Sequence, residues 1–179
     1  MRTSFLSVAF VASLLALLPP GTARAQTKAG TQQASLALEL IHLKSVSLGV
    51  WEGDVIIRNT SALSTTLHLG TIVGNKSLPE QISLIAIGSD GASHRSNPGF
   101  GAPVSIGGYV GPWTIPLGAH TTYTNHMLWS LPVLQTGRYQ FHIQFEGVDA
   151  KYADATGLMS TVPCWQGSVE SVVVSANVD

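Results

Sequence analysis

From residue 36 onward, apolar and polar residues alternate with a period of two, the pattern of strands that bury one face. Leu36, Leu38 and Leu40 alternate with Ala37 and Glu39. Asp54 to Arg58 holds the β-branched run Val55, Ile56 and Ile57, and Asn59-Thr60-Ser61 follows as a turn. Leu63, Leu67 and Leu69 lie among Ser and Thr in the next strand, which Gly70 is expected to close. Ile82 to Ile87 makes another, and Ser89-Asp90-Gly91 is a hairpin signal. Ile115 to Gly118 reads as a short strand and turn, and Thr121 to His126 as β-prone. The clearest alternation is Tyr139, Phe141, Ile143 and Phe145 on one face, with Gln140, His142 and Gln144 on the other. Val169 to Val178 closes the chain with one more β-branched run. No stretch sustains a helical period with caps. Many short strands spaced by turn signals predict an all-β antiparallel sandwich or barrel.

One segment departs from this pattern. Ala92 to Trp113 holds Gly99, Gly101, Gly107, Gly108 and Gly111, with Pro98, Pro103 and Pro112 among them. Loops longer than about 12–15 residues are uncommon in compact domains and often carry function. Phe100, Tyr109 and Trp113 are interleaved in it, and they are the candidate binding residues. Large aromatic side chains with a polar handle suit a protein hot spot or a sugar-stacking platform. Trp129 and Trp165 read instead as core.

Gly137-Arg138-Tyr139-Gln140-Phe141 resembles the entry to strand F of immunoglobulin-like sandwiches. The resemblance implies that Tyr139 is the corner residue, its ring inside and its hydroxyl returned to nearby backbone. It places Phe141 where antibody domains have a cysteine, so the core pin is apolar. Val55-x-Ile57-x-Asn59, Pro116-Leu117-Gly118 before Thr121, and Trp165 to Val174 resemble other pieces of secreted bacterial immunoglobulin-like domains. A bacterial family of small proteinase inhibitors is similar at the level of fold. No inhibitory loop matches it residue by residue, so its activity does not follow.

The first residues change the picture of where the chain goes. Arg2, the apolar run Phe5–Leu18, and Ala23-Arg24-Ala25 predict a signal peptide over 1–25, cleaved after Ala25. The run is shorter than the roughly 20 residues that cross a bilayer. The expected mature protein is secreted or periplasmic, without membrane insertion. A flexible leader is expected over 26–35 and a single domain over 36–179. Cleavage removes Arg2 and Arg24 from 9 Lys and Arg against 10 Asp and Glu, so the mature net charge is 7 − 10 = −3. That balance argues against nucleic acid, which needs clustered cations. Charged residues make up 11% of the chain, well under the roughly 25% of ordinary domains. Its surface therefore repels other proteins weakly. Cys164 is the single cysteine and has no internal disulfide partner; burial and an intermolecular bridge are its two readings.

No catalytic residue and no cofactor are expected. The elbow of a serine hydrolase, the zinc-protease helix motif and the phosphate-binding loop are all missing from the sequence. His42, His68, His94, His120, His126 and His142 are spaced without a metal-ligand pattern, so no metal is expected. His142, on the polar face of its strand, reads as solvated. Glu52 and Asp54 sit two apart, a spacing that would put both on one side of a strand, but ordinary solvated turn residues are the expectation. The expected function is a non-catalytic interaction domain that binds a protein partner through the long loop or an edge strand. A carbohydrate-binding module with exposed aromatics is the first alternative. An enzyme or metalloprotein whose site is gathered from sequence-distant residues is the second.

Overall fold

In a computed structural model, which describes residues 33–96, 110–153 and 156–178, all regular structure is β. The expected signal peptide, Phe100 and Tyr109 lie outside these residues. Among the described residues no helix is long and apolar enough to cross a membrane. The strands in chain order are β1 (Leu36–Ser47), β2 (Val50–Asn59), β3 (Thr65–Val73), β4 (Lys76–Leu78), β5 (Ile82–Gly88), β6 (Ser93–Arg95) and β7 (Val110–Leu117). They continue as β8 (Thr122–Ser130), β9 (Gly137–Gly147), β10 (Ala150–Ala153), β11 (Met159–Val162), β12 (Gly167–Glu170) and β13 (Val174–Val178). The segment expected as a loop over 92–113 thus holds β6 near its start and the beginning of β7 at its end. Gly70 does not close its strand; β3 runs on to Val73.

Every ladder is antiparallel. One sheet runs β1-β2-β8, a second β4-β3-β7, and a third β12-β9-β5-β6 with β13 also on β9; β10 and β11 form a hairpin. The first and third sheets meet across one core, an arrangement consistent with a sandwich. Trp51 of β2 packs on Phe141 of β9 with ring centroids 4.6 Å apart. Trp129 of β8 donates its indole N–H to the Ile82 carbonyl of β5 at 3.3 Å. Phe141, Ile143 and Phe145 are fully buried, so the alternation in β9 sets its inner face. Tyr139 is buried in the same row, 6.2 Å from Phe141 and 6.5 Å from the His94 ring.

Two runs break their own alternation. The partner of Ile41 is Asp54 and that of Lys44 is Glu52, so β1 carries one extra residue at His42–Leu43. His42 adopts φ 54° there. Such a bulge flips the parity of a strand, which lets Leu40 and then Leu43 both turn toward the core. The last run behaves likewise. Glu170 pairs with Gln144 and Val174 with Phe141, so three residues of the outer strand span two of β9. Ser171 bridges this gap: its hydroxyl accepts from the Ile143 N–H at 3.0 Å, and its own N–H donates to the Ile143 carbonyl at 2.9 Å. A parallel bridge joins Ser171 to Leu38 of β1. The expected continuous strand over 169–178 is therefore split in two, which leaves Val172 and Val173 exposed.

Asn59 ends β2 and is buried with 2% of its surface exposed. Its amide donates to the Leu63 carbonyl at 2.6 Å and the Gly118 carbonyl at 2.9 Å. Its oxygen accepts from the Ser61 N–H at 3.1 Å and the Ser61 hydroxyl at 2.8 Å. The turn after β2 is thereby tied to the turn between β7 and β8. Near this turn, where the Thr60 N–H donates to the Ser35 carbonyl at 2.8 Å, Trp165 stacks on Phe145 at 5.6 Å and donates to the Ala34 carbonyl at 2.7 Å. Ala34, inside the segment expected as a leader, is buried by this contact.

Candidate functional site

A cleft of about 490 Å³ opens where the Gly-rich segment returns to the sheet. Its walls are His68 and Thr71 of β3, Glu80, the Val110-Gly111-Pro112 start of β7, Asp149, and Lys151, Tyr152 and Ala153 of β10. Gly70 lets this wall close up. It sits in a bulge of β3 at φ 150°, and a Cβ there would fall 2.0 Å from the Leu78 carbonyl oxygen and 2.6 Å from the Glu80 nitrogen. Only glycine lets the segment from Leu78 to Glu80 lie so close. Thr71 then donates its hydroxyl to Glu80 at 2.8 Å.

Electrostatics divide the cleft into groups already engaged and groups left open. Asp149 accepts from the Cys164 backbone N–H and from the Gln166 amide, each at 2.9 Å. Those bonds, the Cys164 N–H first, hold its carboxyl below the usual carboxylate range, with Lys151 adding to the effect. Asp149 therefore anchors the β9–β10 link to the segment before β12. Lys151 is exposed and Tyr152 half-buried, and both line the cleft. His68 donates through Nε2 to the Gly70 carbonyl at 2.9 Å. Its Nδ1 is then an acceptor, buried and without a partner among the described residues. Cys164 is half-buried beside this region, its thiol donating to the Val162 carbonyl at 3.4 Å and pushed up by burial.

A second cluster lies on the outer face of the β1-β2-β8 sheet. Asp54 accepts from His42 Nδ1 and from His126 Nδ1, each at 2.8 Å. Glu52 pairs with Lys44 at 2.8 Å and lies 3.6 Å from His126 Nε2. Glu52 and Asp54 are thus partnered residues of strand β2, against the expectation of ordinary solvated turn residues. The bonds from His42 and His126 hold the Asp54 carboxyl low; the bond from Lys44 does the same for Glu52. Both imidazoles turn toward one carboxylate instead of converging on a point. Among the described residues no three of His, Cys, Asp and Glu are arranged to hold a metal ion.

The residues singled out from the sequence fall in different places. Trp113 is half-buried on β7, paired with Gly70 and packed against the core, next to the cleft wall. Trp51, Trp129 and Trp165 are buried. His142, expected in solvent, is half-buried, and its Nδ1 is closed off without a partner among the described residues. Sequence reading missed His68, Glu80, Lys151 and Tyr152 as neighbours. One signal pointed to them: a glycine inside an apolar strand marks a bulge or a close backbone approach.

No family model matches the chain, and no curated protein does. A solved structure, the Northeast Structural Genomics Consortium target SoR45, is similar at 13% identity over 77% of this chain and 83% of that one, with a TM-score of 0.26. At that score the likeness adds nothing to the fold, which rests on the sheets described above.

Proposed function

We propose that the chain is an exported, non-catalytic immunoglobulin-like domain that takes a protein partner at the cleft between β3, β7 and β10. The observation that carries this reading is the placement of the cleft. One wall is the returning end of the Gly-rich segment, and an exposed Lys151 and a half-buried Tyr152 are among its lining. A lysine and a tyrosine beside an apolar β7 edge give a partner one cation, one ring and a bounded surface. The immunoglobulin-like part is supported by strand order: β2 pairs with β8, β5 with β9, and the final strand lies on β9 while touching β1 in parallel. Tyr139 fits the corner position in its buried ring. The burial of three tryptophans in the core counts against a sugar-stacking row.

The test places a photo-reactive residue at Tyr152 and, separately, at Ser175 on the polar face of β13. Each protein is then exposed to the secreted or periplasmic proteins of its host. Crosslinking from position 152 alone, lost when Lys151→Glu is added, supports the cleft. Equal crosslinking from both positions refutes it.

A further inference from the structure

Strands that end a sheet carry unpaired backbone groups, and proteins protect them with prolines, bulges, charges or short length. Almost every edge of this fold is guarded in one of these ways. β7 carries Pro112 and Pro116, spaced so that both missing N–H groups fall on the side away from β3. β1 is bulged at His42–Leu43, carries Lys44, and meets Ser171 at Leu38. The β12–β13 edge is broken at Ser171–Val173. β4 and β6 are three residues each.

β8 has none of these devices. Thr122–Ser130 pairs with β2 through nine consecutive positions without a bulge, from Arg58–Thr122 to Val50–Ser130. Its sequence TYTNHMLWS has no proline and no Lys, Arg, Asp or Glu. Among the described residues no strand pairs with its other edge. Thr122, Thr124, His126 and Leu128 are exposed along it. At about 3.3 Å per residue this is roughly 30 Å of regular edge.

We infer that β8 is a self-association edge, and that its occupant is the β8 of a second copy. Two such strands pair antiparallel about a two-fold axis and extend the three-stranded sheet to six strands. The choice of a second copy follows from what the strand lacks. Apart from His126, which is turned to Asp54 of β2, it offers no side chain charged near neutral pH that would select a foreign sequence, whereas a two-fold pair needs only the strand itself. A strand without Lys, Arg, Asp or Glu also meets its own copy with no fixed like charge opposite. The chain's low charge, 11% overall, keeps the long-range repulsion between copies small. This inference is independent of the cleft on β3, β7 and β10.

The experiment is sedimentation velocity from micromolar to millimolar protein, under reducing conditions so that Cys164 forms no bridge. It is paired with amide hydrogen exchange at both ends of that range. The expected result is a monomer–dimer equilibrium in which alternate β8 amides become protected as the dimer forms. Thr124→Lys, on the exposed outer face, should weaken association at least about tenfold while the dilute protein melts as wild type does. Thr122→Lys is the second variant if the first folds poorly. A monomer at every concentration overturns the inference. So does a dimer whose β8 amides exchange at unchanged rates, or a lysine variant that associates as tightly as wild type.

Discussion

Replacing Asn59 tests whether one buried amide holds the β2 turn to the β7–β8 turn. Asn59→Ala removes four hydrogen bonds at a side chain that is 2% exposed. A neutral bond contributes about 0.5–1.5 kcal/mol net, so four give about 2–6 kcal/mol. Leu63 is exposed and Ser61 and Gly118 are half-buried, so water replaces part of what is lost. The expected cost is therefore about 2–4 kcal/mol, or roughly 5–15 °C in melting temperature for a chain of this size. Asn59→Asp adds a signature in pH. It keeps the acceptor for Ser61 but sets a carboxylate against the Leu63 and Gly118 carbonyls. Burial and those carbonyls raise the folded pKa of the introduced group above its unfolded value. Stability is then regained as pH falls through that raised pKa, because the protonated carboxyl donates again. Thermal melts and urea midpoints from pH 8 to 4 read both effects. A cost for Asn59→Ala below about 1 kcal/mol refutes the reasoning, as does an Asn59→Asp deficit that does not shrink on acidification. The same geometry decides the sequon Asn59-Thr60-Ser61: both amide hydrogens are engaged inside the fold, so the folded protein should not accept a glycan there.

Further outcomes follow from other contacts. Gly147→Ala puts a Cβ 2.3 Å from the Trp165 ring, so it should cost about 1–3 kcal/mol or more by overpacking and should alter the near-ultraviolet circular dichroism of that tryptophan. Asp54 and Asp149 have folded pKa values below their unfolded ones, so their contribution is present above the unfolded pKa and lost as pH falls through the folded one. Urea midpoints between pH 6 and 3 should fall less steeply for Asp54→Asn and Asp149→Asn than for wild type. Hydroxyl-radical footprinting should oxidise Trp113 faster than Trp51, Trp129 and Trp165, in line with their burial.

The inner faces of β2, β5 and β9 were legible because a regular strand repeats its environment every second residue. Phe141, Ile143 and Phe145 needed nothing beyond that period. The bulges were not, since a one-residue slip changes which face a side chain takes without changing the composition of the strand. The β-branched run over 169–178 reads as one strand and is split for this reason, with Val172 and Val173 exposed at the break. β10 and β11 escaped notice because four-residue strands with little apolar alternation resemble loops. The cleft was hidden more deeply. His68, Glu80, Pro112 and Lys151 come from four separate segments, which meet through the pairing of β3 with β7, the close approach at Gly70 and the packing of β10 beside β7. His126 reaches Asp54 through the β2–β8 register, which no spacing along the chain announces.

The contact between Trp165 and Ala34 has a kinetic meaning. It joins residues 131 positions apart, and the last strands complete the sheet around β9, whose own partner β5 lies far upstream. Folds dominated by such distant pairings form slowly, in milliseconds to seconds, because loop closure precedes its reward. A chain made from its first residue onward holds Phe145 without its stacking partner until Trp165 has emerged. Up to that moment β9 lacks its outer neighbour and the partly made protein is open to aggregation. The segment from Trp165 to Val178 is therefore the part on which β9 waits.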